Sequence, residues 1–100
     1  KSLSIILFPC VLRTLLSADS KVLRTHGKRM IDKDFSPKGK TSSQLKDMNN
    51  ILECANNYNT QLPISNLVKE MYKSLVENGH GETDHSSLYK EIERINNGKT

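Results

Sequence analysis

Phe35-Ser36-Pro37-Lys38-Gly39-Lys40-Thr41-Ser42-Ser43-Gln44-Leu45-Lys46-Asp47-Met48 passes from a segment that resists regular structure into one with helical spacing. Pro37 has no backbone N–H and Gly39 no side-chain restriction, so the chain ahead of Thr41 stays irregular. Thr41 or Ser42 can accept from the first free N–H groups of a following turn, and Thr41-x-x-Gln44 has the form of a capping box. A helix therefore starts near Thr41, with Lys46 and Asp47 just inside it. Leu45, Met48, Ile51, Leu52, Ala55 and Tyr58 then recur at three- and four-residue steps and share one face, leaving Lys46, Asn49, Asn50 and Glu53 around the other sides. About four turns form before Asn56, Asn57 and Asn59 weaken the helix.

Pro63 sits where a first helical turn tolerates it. After it, Ile64, Leu67/Val68, Met71/Tyr72 and Leu75/Val76 make a doubled apolar stripe, so a helix over 64–77, with Met71 in its core-facing stripe, is expected to be the most buried element. Asn78-Gly79 closes it, since both residues accept a left-handed backbone. Asp84 offers an N-cap for a last helix carrying Leu88, Ile92 and Ile95, ended by Asn97-Gly98. Upstream, Val22, Leu23, Met30 and Ile31 suggest a helix beginning near Asp19 or Ser20 and breaking at Gly27. Pro9 argues against an unbroken helix over 3–16. No segment alternates with period two, so the fold class is all-α, a helical bundle.

One hundred residues make at most one domain and bury a modest core. The net charge of +4 is uneven, +6 over residues 1–50 and −2 over 51–100. Lys21, Arg24, Lys28, Arg29, Lys33, Lys38 and Lys40 are interspersed with apolar residues, which reads as a solvated basic face; a phosphate-bearing dinucleotide or a nucleic acid are the other partners such charge attracts. Aromatic residues are 5% of the chain, too few for stacking platforms. Cys10 and Cys54 read as small core hydrophobes in a reducing setting, with no Cys-x-x-Cys and no neighbouring His. The run from Leu3 to Leu12 is too short to span a bilayer and lacks a clean cleavage site. His80, Asp84 and His85 lie close in sequence but across a Gly turn and without a fourth ligand, so no metal residues are assigned. Ser86 and Ser87 have no His–acid partner at a recognisable spacing.

Several runs in order resemble the β-hydroxyacid dehydrogenase family, which includes 3-hydroxyisobutyrate dehydrogenase, tartronate semialdehyde reductase and L-threonate dehydrogenase. They are Ser17-Ala18-Asp19-Ser20; Leu23-Arg24-Thr25-His26-Gly27-Lys28-Arg29-Met30; Asp34-Phe35-Ser36-Pro37; Lys46-Asp47-Met48; Leu62-Pro63; and Gly79-His80-Gly81-Glu82-Thr83-Asp84-His85-Ser86. Together they cover roughly residues 11–98, leaving 1–10 as an apolar N-terminal segment. The resemblance implies the helical C-terminal domain of an NAD- or NADP-dependent oxidoreductase acting on a small hydroxyacid of the 3-hydroxyisobutyrate, 2-hydroxy-3-oxopropionate or threonate type. It implies Lys46 and Asp47 as cofactor contacts, a dimer or other homo-oligomer, a cytoplasmic setting, and neither nucleic acid nor membrane as partner.

Three departures bound that implication. The family's Lys-Asp-Leu-Gly-x-Ala-x-Asp is here Lys46-Asp47-Met48-Asn49-Asn50-Ile51-Leu52-Glu53, without the Gly and Ala. The aromatic residue that many members carry seven positions before the Lys is here Gly39. The catalytic Lys of a G-x-x-x-K-x-x-N motif has no counterpart, since only Lys1-Ser2-Leu3-Ser4 stands where it would lie, and no G-x-G-x-x-G unit marks a Rossmann domain. No catalytic residue is assigned, and the chain alone is expected to be inactive and to bind NAD(P) weakly or not at all. The other reading is a stand-alone helical interaction module, its basic half meeting an acidic partner or a nucleic acid, without catalysis.

Overall fold

The computed structural model describes residues 18–97, and the chain divides into two compact units, residues 1–35 and 36–100. Expectations for Pro9, Cys10, the run 3–12 and Gly98 fall outside the described residues.

In the first unit, α1 runs Lys21–Asp32 behind Ser20, whose hydroxyl accepts from the Leu23 N–H at 2.9 Å. The start is as expected, but the break at Gly27 is not there: Gly27 is buried in mid-helix. The stop comes six residues later, where Lys33 adopts a left-handed φ of 53°. Its N–H reaches the Met30 carbonyl and that of Asp34 the Arg29 carbonyl, so the last turn closes by a Schellman pattern on a non-glycine residue. Among the basic residues, Arg24 pairs with Asp19 and Lys28 with Asp32, both exposed, as on a solvated face, whereas Arg29 is buried at 7% exposure and departs from that expectation.

The second unit holds α2 (Thr41–Asn57), α3 (Pro63–Leu75), a π-helical turn (Val76–His80), a 3₁₀ turn (His85–Ser87) and α4 (Leu88–Asn97). Among the described residues there is no strand, only an isolated bridge between Lys40 and Asp84, so the chain is all-α. Asn59, at φ 54°, ends α2 as Lys33 ends α1: the Asn59 and Thr60 N–H groups bond the Asn56 and Ala55 carbonyls. Pro63 opens α3 at its first position. Gly79, at φ 90°, supplies the left-handed residue expected there, inside a π turn that follows the α-helical bonds ending at Leu75.

Met48, Tyr72 and Leu75 form the buried core of this unit, with Leu45, Val68 and Leu88 packed on it. The doubled stripe of α3 is only half used: Tyr72 and Leu75 are buried and Met71 half-buried, whereas Ile64 and Leu67 are 78% and 62% exposed. Ile51 and Tyr58 on α2 are likewise exposed, as are Ile92 and Ile95 on α4. Cys54 is an exposed free thiol, so the expectation of a core cysteine is corrected; it lies on the flank of α2 that turns away from Met48.

Candidate functional site

The first turn of α2 is built differently from the capping box. Its N-cap is Lys40, which makes no side-chain cap bond, and Thr41 is already the first helical residue. The two leading N–H groups are taken by backbone carbonyls from elsewhere in the unit, Thr41 N–H by Thr83 and Ser42 N–H by Gly81, each at 2.9 Å. The Thr41 side chain, fully buried, donates to the Thr83 and Asp84 carbonyls and lies 3.3 Å from Ser87 Oγ. Sequence reasoning identifies the helix start and misses its partner, because a carbonyl supplied from about 40 residues away leaves no local signal.

Asp84 is the centre of this joint. It is 0% exposed, and its Oδ1 accepts from the backbone N–H groups of Lys38 and Gly39 at 3.0 and 3.1 Å. Its Oδ2 accepts from the Ser86 N–H at 3.0 Å and the Ser86 hydroxyl at 2.5 Å. Burial by itself pushes the carboxyl upward, but the bonds from Ser86, Lys38 and Gly39 outweigh it and hold Asp84 well below the usual carboxylate range. Its expected capping role stands, on the 3₁₀ turn that leads into α4, and it is joined by a second role reaching back to the loop before α2.

His85 lies against Gly39: its N–H donates to the Gly39 carbonyl at 2.7 Å, and a Cβ added at Gly39 would meet His85 Cδ2 at 2.9 Å. A side chain at position 39 would thus displace the imidazole, which is the physical reason for glycine there. The structure does not gather His80 with Asp84 and His85. His80 instead lines a cleft of about 370 Å³ with Leu75, Asn78, Lys90, Glu91 and Arg94. There the buried Glu91 accepts a forked pair of bonds from Arg94 at 2.6 and 3.0 Å, which, with a bond from Ser74 and against the opposing effect of burial, holds its carboxyl below the ordinary value.

Lys46 and Asp47 are both exposed on α2, and neither side chain enters an ion pair or hydrogen bond among the described residues. Lys46 lies about 7.5 Å along the axis from Thr41. A cation and a carboxylate are therefore presented to solvent on a helix whose origin is fixed by the Asp84 joint. The Thr41 and Ser42 N–H groups that would lead an anion cradle at the helix start are already bonded, and a phosphate or ribose contact at positions 46 and 47 falls to side chains.

A family model described as NAD-binding of NADP-dependent 3-hydroxyisobutyrate dehydrogenase matches residues 14–92. The 2-hydroxy-3-oxopropionate reductase of Escherichia coli strain K12 is 34% identical over 82 residues, 82% of this chain and 28% of that protein. The cytokine-like nuclear factor N-PAC of Drosophila melanogaster is 29% identical over 75 residues, 75% of this chain and 12% of that protein. Among solved structures, 3-hydroxyisobutyrate dehydrogenase from Salmonella typhimurium superposes with a TM-score of 0.77 at 21% identity, covering 84% of this chain and 30% of that one, a likeness of fold. The chain thus spans less than a third of the length of the curated relatives it matches.

Proposed function

We propose, since the chain belongs to the NAD-binding family of NADP-dependent 3-hydroxyisobutyrate dehydrogenase, that it serves as the helical part of an NAD(P)-dependent oxidoreductase for a small hydroxyacid. The reaction class is reversible oxidation of a hydroxyl-bearing carbon to an oxo acid or semialdehyde, the nicotinamide supplying hydride chemistry when the cofactor is bound. Lys46 supplies a point charge and hydrogen-bond donor to the cofactor, and Asp47 orients that ammonium or accepts from a ribose hydroxyl. Self-association of the chain and a cytoplasmic setting belong to the same proposal. The observation that carries it is the family match across residues 14–92, which spans the Lys46-Asp47 pair.

The residues fit such a contact: both side chains are exposed and uncommitted on a helix with a fixed start. The chain's affinity for dinucleotide is expected to be weak, because no phosphate-cradling glycine loop accompanies the pair. The test is a titration of the isotope-labelled chain with NADPH and NADH up to millimolar concentration, followed by amide chemical shifts. Shifts centred on Lys46 and Asp47 are expected, and Lys46→Ala should weaken binding by about 1–3 kcal/mol, the range for a charge-assisted hydrogen bond, with folding nearly unchanged. No response at these amides, or equal affinity in the variant, would leave the Lys-Asp pair as a plain helix start.

A second reading, a helical interaction module without catalysis, is favoured by one observation: a relative of similar match is named as a nuclear factor rather than as an oxidoreductase. Retained binding of a polyanion with no dinucleotide response would select it.

A further inference from the structure

The Lys46-Asp47 pair sits on a helix whose first N–H groups are not capped by its own residues, so something else must fix the direction in which α2 leaves the preceding loop. Two segments do this, residues 37–42 and 81–87. The backbone bonds Thr41 to Thr83, Ser42 to Gly81 and His85 to Gly39 run between them. One buried carboxylate gathers the ends of both, with Lys38 and Gly39 N–H on one oxygen and Ser86 on the other. Thr41 Oγ1 closes the joint from the helix side through its bonds to the Thr83 and Asp84 carbonyls.

From this geometry we infer that Asp84 is a positioning residue for the cofactor contact: it fixes the loop before α2 and thereby the placement of Lys46 and Asp47, without touching the cofactor itself. The inference rests on the functional reading above. A neutral amide in place of the carboxylate can accept with one oxygen only, so either the Lys38/Gly39 side or the Ser86 side of the clasp is lost. If the 38–39 side goes, the loop is released and the helix start loses the anchor that aims it. Charge is removed from a buried site, not from the surface that meets the ligand, so an altered ligand response reports on placement rather than on local charge at Lys46.

The experiment uses the same 100-residue chain, NADPH as the probe and amide shifts at Lys46 and Asp47 as the readout, at a temperature where circular dichroism shows full helicity. Asp84→Asn should speed hydrogen exchange at the Lys38 and Gly39 amides and weaken the NADPH response at Lys46 and Asp47 by about fivefold or more. Ser86→Ala removes one hydroxyl donor, leaves the 38–39 bonds in place, and should keep the wild-type response. Should Asp84→Asn not fold, Thr41→Val loosens the same joint from the other side, and the same loss of response at retained helicity is expected.

Faster exchange at Lys38 and Gly39 with an unchanged NADPH response would show the clasp to be purely structural and would overturn the inference alone. The inference falls equally if Thr41→Val is folded and binds as wild type. A wild-type chain that responds to neither NADPH nor NADH removes the functional reading and this inference together, and one that responds to NADH alone moves the same comparison of variants to NADH. The two failures are therefore told apart by the wild-type titration.

Discussion

The two ends of the α2–α3 pair solve their boundary problems in opposite ways. At the end where α2 starts, Thr41, Asp84, Ser86 and Ser87 are buried polar side chains, and each has hydrogen-bond partners within the unit. At the end where α2 stops and α3 begins, Ile51, Tyr58, Ile64 and Leu67 are exposed and the turn is closed by local bonds from the Tyr58, Asn59 and Thr60 N–H groups. Polar groups are inside at the first end, and at the second apolar groups of the expected core stripes are outside. A buried polar group costs stability unless every partner is in place, so the first end tolerates little change; an exposed Ile costs little and has little to lose. What the first end gains is a fixed helix direction. What the second end retains is uncovered apolar surface.

The largest effect is expected at the core beside the sealed end. Leu75 is 1% exposed and packs with Met48 and Tyr72, so Leu75→Ala should cost about 2–5 kcal/mol, read from urea midpoints. A loss below about 1 kcal/mol would show that the site collapses around the cavity and that the sealed end is less rigid than its burial implies.

Asp84→Asn comes next, at about 1–3 kcal/mol near neutral pH, because the buried carboxylate that accepts from the part-buried Lys38 and Gly39 N–H groups is lost. The sign with pH follows from the depressed carboxyl. In the folded chain Asp84 resists protonation, so its contribution is full above the unfolded Asp value of about 3.9 and is lost as pH falls through the lower folded value. The gap in melting temperature between wild type and variant should therefore be widest near neutrality and narrow below about pH 4. A gap that stays constant into acid would mean that the carboxylate form is not what holds the joint.

Gly39→Ala probes the same end by crowding. The added Cβ would fall 2.9 Å from His85 Cδ2, so the imidazole or the loop must shift, with an expected cost of about 1–3 kcal/mol. An accompanying change in the His85 ring resonances would locate the strain, and an unperturbed ring would place it elsewhere.

The open end is easier to read from sequence in outline and harder in detail. The spacing of Leu45, Met48, Ile51, Leu52, Ala55 and Tyr58 gives a helix, and that helix is there over Thr41–Asn57. The same spacing cannot say which part of the stripe is covered, and in the structure Met48 is buried while Ile51 and Tyr58 are not. Periodicity reports which side chains share a face; burial depends on whether neighbouring side chains reach that far, and around Met48 those of Tyr72 and Leu75 do. The exposure of Cys54, Ile64 and Leu67 has the same origin. Ser20 and, at the sealed end, Asp84 are readable as caps because their partners are local, Leu23 and Ser86. The Thr41–Thr83 and Asp84–Gly39 bonds are not, because a tertiary acceptor leaves no mark at a fixed spacing. Gly27 departs from expectation for a related reason: glycine lowers helix propensity by about 1 kcal/mol, which a buried setting overrides.

The smallest effect on stability is expected at the open end. Ile64 is 78% and Leu67 62% exposed, so replacing them with serine removes little buried area, and Ile64→Ser with Leu67→Ser should each stay within about 0.5 kcal/mol of wild type in urea titrations. The proposed self-association gives these positions a second readout. If the exposed residues at the head of α3 are what a second copy covers, the double variant should lower the sedimentation coefficient of concentrated chain while the melting temperature of dilute chain stays put. An equal drop in dilute-chain stability, by more than about 1 kcal/mol, would instead mean that Ile64 and Leu67 are covered within a single chain and that the contrast between the two ends does not hold.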